Sequence, residues 1–551
     1  MRVRNTNGPL SVRAICGPHV VILAWDVQDA DWNVFTTGLL GFAIERSELT
    51  NSVVVERYFL RGIKRFGNKD KGLAAGTPVP TSEHPVQSFQ WGDYTVRPGH
   101  HYRYRVVPVY GLPKLLELRD ASAVSLDAST PEARRGGHAV YFNRGAAGSQ
   151  AYAREFPNQK PDESKPESSQ MKWLSRGLYE ALMTFIERAN GPTFALRGAF
   201  YEFRYLPVGR AFKKAAQSGA DVKVLYDKAK YGAKNRPMVS TAGIKTLCKE
   251  RGGNVTEKHN KFLVLLESGA PVAVWTGSTN ISAGGIFGHS NVGHVVFDAA
   301  ITQQYLDYWS FLWATPDVAN ALLAQRNNLT TATPTGPPNP KSVTALFSPR
   351  DGKTLQWYAD RMAGAQEIVC FTVAFTIAAP FAAVLKKQND VTRYVLKDKN
   401  SAGDDDIRRD DDLLIAAGAK FGKNDLANFQ AEVLTGFNKN LYIHDKFLLI
   451  DPLSDDPIVI TGSANFSPNS TTANDENMLI IRGNTDVADA YFGEFMRLFD
   501  HIYARHIITR KLSKTAKKNK RNYLAEDNSW TVSHRQGPKA RRRRRFHGPW
   551  V

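Results

Sequence analysis

The order of hydrophobic and polar residues divides the chain into an all-β part and an α/β part. From residue 8 to about 129, short alternating runs such as 20–25 and 41–46 are separated by Gly and Pro turns, without an amphipathic helix. Alternation with a period of two predicts strands, so we expect residues 1–130 to form a β-sandwich. Further on, apolar runs alternate with helical patterns at 171–189 and 354–365, which predicts α/β sheets.

The first part resembles a fibronectin type III domain. Trp25 lies on the predicted second strand, and Tyr102 follows a Pro-Gly turn, at the positions of that family's core tryptophan and tyrosine corner. The resemblance implies recognition or spacing rather than chemistry. A protein partner is therefore expected at this domain.

The α/β part repeats itself, with a unit of roughly 170 residues. The first copy is predicted to be a lobe over residues 137–326, interrupted by a polar surface loop at 146–171. The second copy is predicted to be a lobe over residues 341–508. The Thr- and Pro-rich segment 327–340 is predicted to link them.

The strongest signal occurs at the same place in both copies. Each contains a His-x-Lys motif followed by a Gly-Ser-x-Asn turn, with Lys two, Gly eighteen, Ser nineteen and Asn twenty-one residues after His. Such agreement at two places argues against coincidence. The residues are His259, Lys261, Ser278 and Asn280 in the first copy, and His444, Lys446, Ser463 and Asn465 in the second.

These residue types together suit the chemistry of a phosphodiester. Side chains two residues apart on a strand share a face, so each His-x-Lys motif presents an imidazole and an ammonium group together. The glycine permits close backbone approach, and Ser and Asn donate hydrogen bonds. Two facing sets would supply a nucleophile, an acid and cations around the phosphoryl oxygens. No metal or other cofactor is needed, and a monomer is sufficient for one active site.

The duplicated motif is similar to that of the phospholipase D superfamily, and the resemblance covers residues 137–505. It implies two α/β lobes related by a pseudo-two-fold axis, one active site between them, and a covalent phosphohistidine. By resemblance, His259 attacks phosphorus, and His444 protonates the leaving oxygen and then activates water. The residues expected to hold the phosphoryl oxygens are Lys261, Lys446, Asn280 and Asn465, with Ser278 and Ser463 as further substrate contacts.

The first motif departs from the family pattern. The family's Asp, five residues after Lys, is Asp451 in the second copy but Leu266 in the first. Members resembling tyrosyl-DNA phosphodiesterase also lack it and remain active. Asn291 and Glu476 each lie thirty-two residues after their His. Because a family carboxylate there often receives the imidazole N–H, Glu476 is expected to orient a histidine, with Asn291 as its counterpart and a substrate contact.

Two other clusters are open to a structural interpretation. The acidic residues at 404–406 and 410–412, with Arg408 and Arg409 at helical spacing, are typical of a solvated charged face rather than a metal site. His289 and His294 follow the first motif, where they either line the pocket or are satisfied within the fold.

Positive charge is concentrated at the C-terminus. The net charge is +19, and residues 510–551 hold fourteen Lys or Arg against two acidic residues. Residues 509–551 are therefore predicted to be a flexible basic tail that binds polyanions. Its candidate substrate contacts are Arg541, Arg542 and Arg543. Its candidate stacking residues are Tyr523, Trp530, Phe546 and Trp550.

Composition narrows the class of protein. The 551 residues, 42% of them hydrophobic, are too many for one core and have ordinary globular composition. No apolar run reaches the roughly 20 residues that span a bilayer, and no signal-peptide pattern is present, so a soluble cytoplasmic protein is expected. The three cysteines, at 16, 248 and 370, are too scattered for a disulfide framework.

Three functions remain open. A nuclease leads, because clustered Lys and Arg attract a nucleic-acid backbone, whether DNA or RNA. The alternative is a phospholipase D or phospholipid synthase at an anionic membrane surface, since polybasic segments also bind lipid headgroups, although the sequence shows no hydrophobic anchor. The second alternative, an inactive nucleic-acid-binding protein, would require a broken motif, whereas both His and both Lys are present.

Overall fold

The structure, a computed structural model, shows a β-sandwich followed by two α/β lobes and a C-terminal segment that folds back on them. It describes residues 1–70, 72–73, 77–145, 150–157, 159–399, 401, 407, 412–418, 443–512 and 523–550. Most of the acidic run, residues 404–406, 410 and 411, lies outside the described residues.

The sandwich consists of two antiparallel sheets around a shared core. Its elements are β1 (Arg2–Asn7), β2 (Leu10–Cys16), β3 (Val21–Val27), α1 (Trp32–Thr36), β4 (Gly41–Thr50), β5 (Val53–Phe59), β6 (Arg61–Gly62), β7 (Val79–Pro80), β8 (Gln90–Asp93), β9 (His101–Leu112), β10 (Leu115–Leu118) and β11 (Val124–Ser129). The sheet orders are β1-β2-β3-β8 and β10-β9-β4-β5, with β11 on β9. Trp25 is buried in the core, and the hydroxyl of Tyr102 accepts a hydrogen bond from the backbone N–H of Arg97 at 3.0 Å. The all-β class is confirmed, whereas membership of the fibronectin type III family stays a prediction.

The first lobe is a mixed sheet with helices on both faces. Its elements are β12 (Arg134–Arg135), β13 (His138–Phe142), α2 (Gln150–Glu155), α3 (Ser169–Ser175), α4 (Leu178–Glu187), β14 (Phe194–Phe200), α5 (Leu206–Gln217), β15 (Asp221–Asp227), α6 (Gly232–Thr241), β16 (Cys248–Arg251), β17 (Lys261–Glu267), β18 (Ala270–Gly277), β19 (Val292–Val296), α7 (Ala299–Ala314) and α8 (Asn320–Thr330). The helix predicted over 171–189 is broken, because Arg176 and Gly177 both have a positive φ.

The second lobe repeats this arrangement. Its elements are β20 (Val343–Ser348), α9 (Lys353–Ala363), β21 (Ile368–Val373), α10 (Ala379–Leu385), β22 (Thr392–Lys397), β23 (Leu413–Ala417), β24 (Phe447–Ile450), β25 (Ile458–Gly462), α11 (Pro468–Thr472), β26 (Glu476–Arg482) and α12 (Thr485–Leu512). Its order β20-β26-β25-β24-β21-β22-β23 matches β13-β19-β18-β17-β14-β15-β16 strand for strand. In both sheets three neighbouring strands are parallel and the other pairs are antiparallel. The duplicated α/β fold predicted from the repeat is therefore present.

The two lobes share one core. Helix α7 of the first lobe buries Tyr305 and Tyr308 against Phe347 of the second, and helix α12 of the second buries Tyr491 against Phe142 of the first. Aromatic side chains bury large apolar areas, so this contact stabilises a fixed relation between the lobes. The predicted linker begins later than residue 327, because α8 continues to Thr330 and buries Asn327, which donates to the Pro349 carbonyl at 3.0 Å.

The prediction of a free basic tail is wrong for residues 523–550. This segment forms helices α13 (Val532–Arg535) and α14 (Gly537–His547), which pack on the sandwich and on lobe 2. Arg543 is buried, pairs with Asp26 at 2.6 Å and lies 4.1 Å from the ring centre of Trp32. Arg541 is held by Asp412, which is also buried. Acidic partners in the folded chain, rather than solvent or a polyanion, satisfy these charges.

The aromatic residues of the same segment are also used internally. Trp530 joins the sandwich core and its indole N–H donates to the Leu39 carbonyl at 3.0 Å. Phe546 is fully buried between Tyr394 and Phe492 of lobe 2. These rings are not available for base stacking.

The sandwich is docked on the two-lobed part of the chain. Side chains of β2 and β3 that point away from the sandwich core, among them Ile15 and Ile22, belong to the core shared by the two lobes. Asp489 of α12 is buried and pairs with Arg2 at 2.9 Å. Among the described helices, none combines the length and apolar character needed to cross a membrane.

Candidate active site at the lobe interface

Each His-x-Lys motif lies at the start of a central strand and is anchored by the opposite lobe. The backbone N–H of His259 donates to the Asp475 carbonyl at 2.8 Å, and the N–H of His444 donates to the Ser290 hydroxyl at 3.2 Å. Asp475 belongs to lobe 2 and Ser290 to lobe 1. One site therefore needs both lobes.

Each imidazole is also oriented by a residue of the opposite lobe. His259 Nδ1 lies 2.7 Å from Glu476 Oε2, and His444 Nδ1 lies 2.7 Å from Asn291 Oδ1. In each pair Nδ1–H donates to oxygen, which leaves Nε2 free to react. Glu476 thus orients the histidine of the other repeat. Asn291, predicted to contact substrate, is instead buried behind His444.

The motif serines support these orienting residues rather than the substrate. Ser463 donates to Glu476 Oε2 at 2.9 Å, and Ser278 donates to Asn291 Oδ1 at 2.8 Å. Both serines are fully buried, so the predicted substrate contacts are corrected to supporting contacts. The preceding glycines are required, because a Cβ on Gly277 would lie 2.3 Å from the Val292 carbonyl oxygen.

The two lysines are buried beside the histidines. Lys261 Nζ donates to the His259 carbonyl at 2.6 Å, and Lys446 Nζ donates to the His444 carbonyl at 2.7 Å. Each ammonium group keeps further donors for a ligand, since it has three protons. Two buried cations attract an anion strongly, because little solvent screens them.

Burial determines the protonation states in the site. Burial and the charges of Lys261 and Lys446 hold the pKa of His259 well below its usual value. Burial, followed by Lys446 and His289, does the same to the pKa of His444. Both imidazoles are therefore neutral at neutral pH, as a nucleophile requires.

The lysines and the carboxylate titrate near neutrality. Burial lowers the pKa of Lys261 to about 8. Burial, together with the charge of Lys261, lowers the pKa of Lys446 to about 7. Burial raises the pKa of Glu476 to about 7. An anionic ligand would favour the charged form of both lysines.

The motif amides keep hydrogen-bonding capacity. Asn280 Nδ2 donates to Glu202 Oε1 at 3.1 Å. The side-chain oxygens of Asn280 and Asn465 are buried and have no hydrogen-bond partner among the described residues. Buried polar groups are normally paired, so both amide oxygens are candidate acceptors for a donor group of a substrate, whereas a phosphoryl oxygen requires the Nδ2 donors.

The structure adds residues around His259 that the motif did not indicate. The ring of Tyr201 packs against His259 with centroids 4.6 Å apart, and Lys261 Nζ lies 5.2 Å from the centre of the same ring. Glu257 bonds the Tyr201 hydroxyl and pairs with Lys230. Tyr201 directly follows strand β14, which pairs with the motif strand β17. Its position at the end of that strand is the feature of the sequence that could have indicated it.

Other predicted site residues lie elsewhere. Asp451 follows the far end of β24, where its carboxylate accepts the backbone N–H groups of residues 366–368 at 2.7–2.9 Å, so it stabilises a turn rather than the site. His294 is buried between Tyr491 and His138 and is structural. His289 is half-buried with its ring 5.6 Å from that of His444, at the site.

The arginines predicted to contact substrate are not part of the site. Arg541 and Arg543 are engaged by Asp412 and Asp26, and Arg542 lies between them on α14. Among the described residues, no group of three His, Cys, Asp or Glu side chains is arranged to hold a metal ion. The site therefore offers two imidazoles, two ammonium groups and two amides to a ligand.

A family profile described as cardiolipin synthase, PLD-like domain, matches residues 185–313 and 365–499. Each matched segment contains one His-x-Lys motif and one Gly-Ser-x-Asn turn. The chain therefore carries a duplicated phospholipase D-like domain.

Solved structures with similarity to this chain come from several bacteria. A polyphosphate kinase from Porphyromonas gingivalis is 11% identical over 59% of this chain and 48% of its own, with a TM-score of 0.36. A phosphatidylserine synthase from Haemophilus influenzae Rd KW20 is 12% identical over 62% of this chain and 91% of its own, with a TM-score of 0.41. Nuc, a phospholipase D family member from Salmonella typhimurium, is 16% identical over 29% of this chain and 95% of its own, with a TM-score of 0.22. No curated protein matches the sequence.

Proposed function

We propose that this protein cleaves phosphodiester bonds of nucleic acid, with His259 as the nucleophile and His444 as the acid. The observation that carries the proposal is the unequal pairing of the two histidines, His259 with a carboxylate and His444 with an amide. A carboxylate stabilises the imidazolium that forms when Nε2 attacks phosphorus. An imidazolium held by a neutral amide gives up its proton more readily, which suits the acid.

The chemistry proceeds in two steps with the same groups. In the first, His259 Nε2 bonds to phosphorus, the bond to the leaving oxygen breaks, and His444 donates its Nε2 proton to that oxygen. In the second, His444 takes a proton from water, the water oxygen bonds to phosphorus, and the bond to His259 breaks. Lys261 and Lys446 neutralise the phosphoryl oxygens in both steps. The negative charge of the substrate favours the protonated form of His444 that the first step needs.

A basic rim beside His259 supports nucleic acid as the substrate. The loops that follow β14 and β15 expose Arg204, Lys228 and Lys230, and the first turn of α6 exposes Lys234, all of them around Tyr231. The Tyr231 ring lies 4.7 Å from that of Tyr201, which contacts His259. Because Glu202 and Glu257 offset two of these charges, the rim has an excess of two positive charges. Exposed cations beside an aromatic ring are typical of binding sites for single-stranded nucleic acid.

Phospholipid is the second candidate substrate, and the description of the matching family as cardiolipin synthase favours it. The chemistry at phosphorus would be the same, with a lipid alcohol or headgroup as the leaving group. An inactive binding protein is disfavoured, because both histidines are oriented and both lysines are in place.

Direct assays separate these substrates. Full-length protein is incubated in EDTA with single-stranded DNA, single-stranded RNA, plasmid and vesicles of phosphatidylglycerol, beside a variant with both His259→Ala and His444→Ala. Cleavage of a nucleic acid by the unmodified protein alone supports the proposal. Headgroup release without nucleic-acid cleavage selects the lipid function. Abolition of activity by EDTA with rescue by magnesium contradicts the proposed mechanism.

The roles of the histidines are tested by trapping. With an activated leaving group, the His444→Ala variant should accumulate a phosphoenzyme, because the first step needs no acid and the second lacks its base. The His259→Ala variant should accumulate none. The reverse result would exchange the two roles.

A further inference from the structure

A second buried carboxylate, Asp475, lies next to Glu476 at the lobe interface. Its carboxylate accepts hydrogen bonds from the Asn260 amide and the Tyr308 hydroxyl, and Arg251 Nε lies 3.4 Å away. Asp475 is only 1% exposed, and no step of the proposed mechanism uses it. A buried charge is tolerated when it is paired and hydrogen-bonded, and Asp475 has both kinds of partner.

Asp475 also binds the backbone that carries His259. Its N–H donates to the Glu257 carbonyl and its carbonyl accepts the His259 N–H, both at 2.8 Å. Asn260, which its carboxylate holds, lies between His259 and Lys261 in the sequence. The consecutive residues Asp475 and Glu476 therefore hold His259 at its backbone and at its imidazole.

We infer that Asp475 is a positioning residue for His259 and fixes the direction from which Nε2 approaches phosphorus. The inference rests on the proposed function. A displacement of about 1 Å in a reacting group costs roughly a hundredfold in rate. Loss of a backbone anchor on the nucleophile should therefore lower the rate of the chemical step. Asp475 itself touches no substrate.

The other repeat provides an internal comparison. At the position equivalent to Asp475, the Ser290 hydroxyl accepts the His444 N–H at 3.2 Å and lies near the buried Asp445. In this repeat the acidic residue is Asp445, between His444 and Lys446, and Ser290 is neutral. In the first repeat the acidic residue is Asp475, and Asn260, between His259 and Lys261, is neutral. Each histidine thus has its own anchor, and the two anchors can be altered separately.

The experiment measures the burst of 4-nitrophenolate from bis(4-nitrophenyl) phosphate, whose good leaving group makes phosphohistidine formation independent of an acid. We expect Asp475→Asn to slow the burst by 10- to 100-fold with little change in KM, because an uncharged amide nitrogen would replace Oδ2 and leave the buried Arg251 without its charged partner. Tyr308→Phe should slow it less, in the same direction. Ser290→Ala should slow steady-state turnover and leave the burst within about threefold, since His444 acts in the second step.

The matched control is Asp489→Asn, which alters another buried, ion-paired carboxylate away from the site. It should lower the melting temperature without changing the burst. A burst unchanged in Asp475→Asn, or slowed equally by Ser290→Ala, overturns the inference. If Asp475→Asn does not fold, the inference is tested by Tyr308→Phe, and an unchanged burst in that variant overturns it. Absence of any 4-nitrophenolate release by the unmodified protein would instead overturn the proposed function.

Discussion

The two lobes share seven strands in one order, yet their histidines have different partners. In each lobe the residue that orients the histidine of the other lobe lies at the start of the strand after the Gly-Ser turn: Glu476 is the first residue of β26, and Asn291 directly precedes β19. The serines behind them, Ser463 and Ser278, make equivalent bonds. In the proposed mechanism, this single difference in charge within a matched framework separates the nucleophile from the acid.

The surroundings of the two histidines extend this difference. His259 is covered by Tyr201 and has Glu257 nearby, whereas His444, which lies beside His289, is less completely buried. A nucleophile benefits from a fixed, desolvated imidazole, and an acid must exchange protons with solvent. The shared fold therefore supplies the positions, and the neighbours assign the roles.

The largest expected effect is loss of either histidine. His259→Ala and His444→Ala should each reduce kcat/KM by roughly 10⁴-fold or more, and the double variant should lose little beyond that, because the residues act as one unit. The measurement is turnover of a diester with a poor leaving group, where both roles are needed. His101→Ala, at an exposed position of the sandwich, is the control. Multiplicative losses would mean that the lobes hold independent sites.

Replacing the hydrogen-bond partner of each histidine should lower the rate by different amounts for the two histidines. Glu476→Gln is expected to lower kcat by roughly a hundredfold, because the amide cannot stabilise the imidazolium on His259. Asn291→Asp should cost about tenfold or less and raise the pKa of His444, since a carboxylate favours the charged imidazole. Rates of phosphoenzyme formation measure both changes. Equal effects would contradict the assignment of roles.

The activity should have a narrow pH optimum. Lysine is charged below its pKa, so kcat/KM should fall as the pH rises through the pKa values of Lys446, about 7, and Lys261, about 8. Glu476 is charged above its pKa of about 7, so kcat/KM should also fall as the pH drops below that value. The profile of kcat/KM reports these groups in the free protein.

Lys446→Arg tests the alkaline limb. Arginine stays charged throughout the range, so the fall associated with position 446 should disappear even if the maximal rate is lower. An unchanged alkaline limb would show that a different group causes it.

The smallest expected effect on chemistry concerns the C-terminal segment. Arg543→Ala leaves Asp26 buried without its partner and should lower the free energy of unfolding by roughly 3 kcal/mol, with kcat unchanged below the melting transition. Thermal melting measures the loss. Arg57→Ala, which removes an exposed arginine from its pair with Glu45, is the control and should leave the melting temperature nearly unchanged. Loss of nucleic-acid affinity without loss of stability would instead indicate that Arg543 contacts the substrate.

Local patterns determined much of the fold and the chemical groups of the site. Alternation with a period of two indicated the sandwich, and the repeat indicated two matching lobes, because burial of alternate side chains is a local property of a strand. The spacing within the motifs identified His259, Lys261, His444 and Lys446, since a strand and its following turn fix their relative positions. The break after Arg176 was missed, because the helical pattern continues across it.

Contacts between distant segments were decided only by the tertiary structure. The sequence predicted that Glu476 orients a histidine, with Asn291 as its counterpart, but not which histidine; the lobes pack so that Glu476 contacts His259 and Asn291 contacts His444. The tail has the composition of a flexible polyanion-binding arm, yet Asp26 and Asp412 pair with Arg543 and Arg541 within the fold. Neither outcome has a local signature, because the energy of a buried charge depends on which distant group is brought within a few ångströms of it.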